Sequence, residues 1–159
     1  TSSLMFVVQW DLICKFIETK GVKTENELKE DSSNWGNYRN VEFPVAAGNK
    51  YATYNIEDEH LNKWNDITST FNKQIYESNG EGAILSTGAT ERNSALNIYD
   101  LAGNVWEFTL EKDESSTTGS NSTYRGGGFR YTSYTFPANH RSGESYEKST
   151  AIGFRTTLF

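Results

Sequence analysis

The side chains with chemical reach are few, and their spacing does not assemble a catalytic group. Cys14 is the only thiol in the 159 residues, so neither a disulfide within them nor a cysteine-based zinc site can form. A histidine-held iron site needs two or three convergent imidazoles, or two with a carboxylate. His60 and His140 are the only imidazoles and lie in separate polar stretches. There is no nucleophile elbow and no H-E-x-x-H, and the run Gly126-Gly127-Gly128 lacks the following helix and lysine of a phosphate loop. The acidic run Glu57-Asp58-Glu59 reads as a solvated face. Arg125 and Arg155, each beside a glycine-containing turn, read as buried guanidinium anchors that hold loops by several hydrogen bonds.

The chemistry that the residue types do support is recognition. Between Arg125 and Arg155 stand Phe129, Arg130, Tyr131, Thr132 and Tyr134, then His140, Ser142, Glu144, Tyr146, Glu147 and Lys148. Tyrosine offers a large amphipathic contact area at low entropic cost, and serine and threonine adapt their hydrogen bonding. Tyr131 and Tyr134 are the expected centres of such a surface. Aromatic residues make up 14% of the chain, and Asn, Ser, Thr and Gly are abundant, which fits either a recognition surface or a loop-rich fold with an ordinary aromatic core.

The elements that must hold these residues are partly legible. Trp10, Ile13, Cys14 and Ile17 form one apolar helical face, with Asp11, Lys15 and Glu18 off it and Gly21 as a stop. Thr24 and Glu27 have the spacing of a capping box for a short second helix. Residues 31 to 55 read as loop, and residues 57 to 77 as a weak helix with Leu61, Trp64 and Ile67 on one side. Trp106 and Phe108 alternate with Val105 and Glu107, as on a half-buried strand. Residues 111 to 123 hold no large apolar side chain and read as an exposed loop, and residues 151 to 159 as a closing strand. The pattern is α+β with much irregular chain.

Length suits one domain spanning residues 1–159 with its own core. The net charge of −6 carries no basic block, which argues against a nucleic-acid partner, and no apolar run reaches membrane-spanning length. The residues start at Thr1, so they are expected to be the C-terminal part of a longer chain.

Three segments carry a family resemblance. Residues 97–108, NIYDLAGNVWEF, resemble the "GLYDMAGNVWEW" signature of the formylglycine-generating enzymes, or sulfatase-modifying factors. Tyr124-Arg125-Gly126-Gly127-Gly128 is similar to that family's "RGGS" turn, and Ile152-Gly153-Phe154-Arg155 to its closing "GFR". Leu4 to Asp11 and Trp35-Gly36-Asn37 sit where the family has its "LPTEAEWE" helix and its "WGN". The resemblance implies a C-type-lectin-like fold with two N-terminal helices and a small twisted antiparallel sheet. Phe154 is expected to be a fold anchor.

The resemblance also implies an oxidase whose copper-binding cysteine pair lies between "RGG" and "GFR", yet residues 129 to 151 contain no cysteine. Cys14 reads as a small core residue. The chain is therefore expected to be no enzyme and to require no cofactor. The alternative is a degenerate or cofactor-dependent family member with another oxidase activity. The family's calcium site would correspond to Asn104, the Val105 carbonyl and Glu107. The competing reading has Asn104 capping a turn and Glu107 paired with an arginine.

Residues 124 to 159 further resemble the variable region of proteins diversified by retroelements in phages and gut bacteria, with Phe136-Pro137-Ala138-Asn139-His140-Arg141 at the place of "PASxR". That implies a ligand-binding domain with a diversified surface over residues 129–150, an unknown protein or cell-surface ligand as partner, and a bacterial cell surface or phage particle as location.

Overall fold

The spacing of Trp10, Ile13, Cys14 and Ile17 becomes helix α1, Val7–Thr19, in the computed structural model, which describes residues 2–78, 80–112, 122–144 and 149–158. Trp10, Cys14 and Ile17 are buried, and Ile13 packs against the same cluster. The Gln9 side chain accepts the Phe6 N–H at the helix entrance. The capping box forms as spaced: Thr24 Oγ1 accepts the Glu27 N–H at 3.2 Å and the Glu27 carboxylate accepts the Thr24 N–H at 2.7 Å. These bonds satisfy end donors that the short helix α2, Glu25–Lys29, could not satisfy internally.

The strands are short. In chain order they are β1 (Ser2–Leu4), β2 (Phe43–Val45), β3 (Lys50–Asn55), β4 (His60–Leu61), β5 (Asn65–Asp66), β6 (Phe71–Lys73) and β7 (Ala83–Leu85). A 3-10 turn at Glu91–Asn93 leads to β8 (Ser94–Ala95), β9 (Ile98–Tyr99), β10 (Trp106–Lys112), β11 (Ser122–Arg125), β12 (Arg141–Glu144), β13 (Ile152–Phe154) and β14 (Thr156–Leu158). The sheet that carries the motifs has the order β12-β11-β10-β13. Its β10–β11 and β11–β12 ladders are antiparallel, and β13 runs parallel to β10. A second sheet forms around β3 with β4, β5 and β7, and two-stranded pairs join β2 to β6, β8 to β9 and β1 to β14.

The structure departs from the sequence reading in several places. Of residues 111–123, read as an exposed loop, 111 and 112 end β10 and 122 and 123 begin β11 with Thr123 buried, and 113–121 lie outside the described residues. Residues 31–55 contain β2 and β3, where alternation buries Ala52 and Tyr54 and leaves Tyr51 and Thr53 half-buried. Tyrosines on both faces hid that period. Residues 57–77 are turns and short strands instead of a helix, because Asn55 Oδ1 captures the N–H groups of Glu57 and Asp58. Ile67 and Leu61 then enter different core clusters, and Trp64 stays 42% exposed. On β10, Trp106 and Glu107 are both buried, so the strand is covered on both faces. Phe154 is 68% exposed beside an open apolar groove of about 270 Å³ and is no fold anchor.

Asn104 joins the parts. It adopts φ +61°, a region that asparagine tolerates better than most residues, and it is buried. Its Oδ1 accepts the Leu85 N–H and the Asn37 Nδ2–H, each at 3.0 Å, and its Nδ2 donates to the Leu85 carbonyl at 3.1 Å. The amide thus pairs with Leu85 as a neighbouring strand would. Its own N–H reaches the Asn37 carbonyl at 2.8 Å, and its carbonyl takes the Phe129 N–H at 2.9 Å. Gly103 sits at φ +70°, where an added Cβ would strike the Asn37 backbone.

Asn104→Ala should therefore lower the unfolding free energy by about 2–4 kcal/mol, because the Leu85 N–H and C=O are left buried without partners. Denaturant unfolding measures this, and a loss below about 1 kcal/mol would contradict the role given to Asn104.

Candidate recognition face

The segment that follows β11 is built on close backbone approach. Gly127, at φ +74°, leaves no room for a side chain between the Phe136 carbonyl and the Tyr38 ring. The chain then alternates between side chains sunk into the domain and side chains turned outward. Phe129 is fully buried among Ala52, Tyr54, Ile84 and Ala151. Thr132 and Ser133 are buried, and so are Pro137 and Ala138. Tyr134 is 63% exposed; Thr135 and Arg141 are also exposed, and Arg130, Tyr131, Phe136, Asn139, His140 and Ser142 are half-buried.

A dense backbone network fixes this arrangement. Arg39 N–H donates to the Tyr131 carbonyl at 3.0 Å, and Ser133 N–H donates to Asn40 Oδ1 at 3.0 Å. Thr135 and Phe136 N–H both reach the Thr132 carbonyl, closing a turn that lifts Tyr134. Ala138 N–H donates to Ser32 Oγ at 2.9 Å, the Trp10 indole donates to the Ala138 carbonyl at 3.0 Å, and Asn139 N–H donates to the Leu28 carbonyl at 3.0 Å. The segment therefore rests on α1, α2 and the 38–40 turn, so its outward side chains project from a held backbone.

Its floor is aromatic. The Trp106 ring meets those of Tyr124, Tyr131, Phe136 and His140 edge to face at centroid separations of 5.3 to 5.9 Å. Tyr131 and Phe136 also meet edge to face at 4.8 Å, and Phe136 and His140 at 4.7 Å. Burial and then the Arg125 charge lower the His140 pKa, so this imidazole is held neutral at pH 7. Arg130 lies 3.8 Å over the Tyr54 ring and donates to the Gly80 carbonyl at 2.9 Å.

The proposed surface thus separates into two groups. Phe129 and Thr132 are corrections: both belong to the frame, Phe129 because its ring fills a core cluster and Thr132 because its hydroxyl closes the turn with Thr135 at 2.6 Å. Tyr134 stands outward, while Tyr131 and His140 are half-buried, their rings packed edge to face with Trp106 and Phe136. Arg130 and Ser142 lie at the margins, Ser142 beside Tyr124 in the β11–β12 register. Glu144 contributes backbone to β12. Tyr146, Glu147 and Lys148 lie outside the described residues.

The chain matches the family model of the sulfatase-modifying factor enzyme 1-like domain over residues 22–158, which takes in everything from α2 to β14. It belongs to that family. No curated protein and no solved structure matches it. The family membership and the mixed architecture together establish the C-type-lectin-like fold.

The residues at the position of the family's calcium site do not fit a cation here. Asn104 Oδ1 already accepts two N–H groups. Both Glu107 oxygens accept from Arg155, at 2.8 and 2.6 Å, and Arg155 also donates to the Tyr99 carbonyl. Burial raises the Glu107 pKa, while Arg155 opposes that shift. Val105 packs its side chain against the Phe129 cluster. A calcium ion would have to displace a guanidinium and break the pairing with Leu85. Among the described residues, no group of three or more His, Cys, Asp or Glu could hold a metal.

The remaining candidates are structural. Arg125 is buried and pairs with Asp11 on α1. Cys14 is buried, and desolvation pushes its thiol up to about 12, so it carries almost no thiolate at pH 7. Sequence reasoning missed Asn37, the second buried amide of the Asn104 network, and Lys73, which is 1% exposed. Asn37 stood inside the "WGN" segment and could have been found there. Nothing in the sequence marks Lys73 as interior.

Proposed function

We propose that this sulfatase-modifying factor domain is a non-catalytic ligand- or receptor-binding domain that displays a diversified surface. That surface runs through residues 130–150, one residue shorter than the sequence suggests because Phe129 is frame. The observation that carries the reading is the separation of roles along residues 129–142. Buried Phe129, Thr132, Ser133, Pro137 and Ala138 hold a hydrogen-bonded backbone; between them Tyr134 and Thr135 face outward and Arg130, Tyr131 and Phe136 are half-buried. Outward positions on such a backbone can change at small cost, usually within about 0.5 kcal/mol, so diversity need not impair folding. Tyrosine and arginine at those positions are the residue types most often responsible for binding energy.

The resemblance to retroelement-diversified proteins supports the same reading, as does the lack of any cysteine in residues 129–151, where the related oxidases carry their copper ligands. The partner is a protein or cell-surface ligand, and the site of action is a bacterial cell surface or phage particle.

Sequencing the locus tests the reading. A near-copy of codons 124–155 that differs at adenines is expected nearby. Across isolates, changes should fall at residues 130, 131, 134, 135, 141 and 142, and spare 129, 132, 133, 137 and 138. Identical sequences in all isolates, or changes spread evenly over both sets, would remove the basis for diversification. Incubation with copper, oxygen and a sulfatase-type peptide should yield no aldehyde by mass spectrometry; conversion that persists in Cys14→Ser would refute the non-catalytic assignment.

A further inference from the structure

Lys73, on β6, ends in an enclosed cage. Its Nζ donates to the Tyr38 carbonyl and, at 2.6 Å, to the Val41 carbonyl. The remaining walls are the rings of Phe43 and Tyr76, at 5.6 and 5.7 Å. The charge that acts on it is that of Arg92, whose guanidinium lies 4.6 Å from the Phe43 ring centre, and the phenol facing it is Tyr76. Among the described residues, no carboxylate pairs with Lys73. Two carbonyls match the two N–H donors of a neutral amine; the third proton of an ammonium has no oxygen acceptor here, and the attraction of the Phe43 and Tyr76 ring faces offsets only part of the hydration that burial removes.

The two carbonyls belong to one turn. Val41 N–H closes on the Tyr38 carbonyl at 3.3 Å, which makes Arg39 and Asn40 the central residues. Those two residues hold the recognition segment: Arg39 N–H on the Tyr131 carbonyl, and Asn40 on Ser133 through both its N–H and, at 3.2 Å, its Oγ. Lys73 thus pins both ends of a turn whose middle carries the base of the proposed face.

We infer that Lys73 is a positioning residue for that face, and that gain of its third proton loosens the Tyr38–Val41 turn and with it the seating of Tyr131 and Ser133. The inference rests on the recognition reading for its biological meaning, but not for its test. Desolvation, and then Arg92, lower the Lys73 pKa from 10.5 to about 7. An opened turn, in which the amine is hydrated, regains the ordinary value. The open form therefore binds more protons between pH 7 and 10.5, so closure strengthens as pH rises through that window and is weakest below pH 7. His140, with its lowered pKa, titrates below the window.

Native-state amide exchange, corrected for the intrinsic pH dependence, reads the turn without any partner. In the wild-type domain, protection of Arg39, Val41 and Ser133 should rise from pH 7 to 9 by up to about tenfold per pH unit, the slope set by one proton. These amides should exchange faster than that of Leu85, which marks opening of the core. Lys73→Met should make their protection independent of pH, and Lys73→Arg, charged throughout, should keep it low at every pH. A flat wild-type profile overturns the proposal. So does exchange of the three amides at the Leu85 rate, which would make Lys73 a core residue only. A Lys73→Met variant that retains the slope overturns it too. Failure of the locus test would leave the exchange result intact, so the two ideas fall separately.

Discussion

The buried amide of Asn104 ties Leu85 of β7 and Asn37 to the start of β10, elements that share no ladder. This small fold has short strands and much irregular chain, so few of its backbone groups can be satisfied by regular ladders. One buried side-chain amide replaces a missing strand neighbour for Leu85 and orients the amide of Asn37, while the Asn104 backbone reaches the loop before β2 on one side and Phe129 on the other. Buried polar groups of this kind are costly when unpaired, and in the two amides only the Asn37 Oδ1 lacks a partner. The close approach at Gly103 and the positive φ of Asn104 follow from the same requirement. A cation at this place would compete with the contacts that position Phe129 and the segment after it.

Charge burial follows the same logic of positioning. Arg155 leaves the end of β13 to meet Glu107 on β10 and the Tyr99 carbonyl on β9, so a single guanidinium sets three elements relative to one another. Arg125 reaches from β11 to Asp11 on α1. Asp11 is largely exposed, and screening keeps the energetic worth of that pair small. What these arginines supply is register, through donors in fixed directions. Lys73 differs from both, since it is enclosed among carbonyls and rings and not opposite an acid.

How much of this was legible follows from how local each signal is. The α1 face and the Thr24–Glu27 box depend on residues a few positions apart, and both stood in the sequence. The motifs around Asn104, Gly127 and Arg155 gave the family and therefore the fold. The region 57–77 misled because Leu61, Trp64 and Ile67 have a helical spacing, whereas Asn55 and its neighbours commit the backbone to turns. The candidate face was found as a stretch but not resolved into positions. Whether Phe129 or Tyr131 points inward is decided by Ala52, Tyr54 and Ile84, which lie far away in sequence, and by a turn at 132–136 that breaks any simple period. The Lys73 cage is a tertiary product and left no trace in local pattern.

On the proposed reading, residues 125–142 combine a frame that cannot change with a display that can. A stability-based mutational scan of every position in that stretch, read by protease resistance of the folded domain, tests it most directly. Intolerance is expected at Gly126, Gly127, Phe129, Ser133 and Ala138, and broad tolerance at Arg130, Tyr134, Thr135 and Arg141. Equal sensitivity across both groups, or tolerance at Phe129 with intolerance at Tyr134, would contradict it.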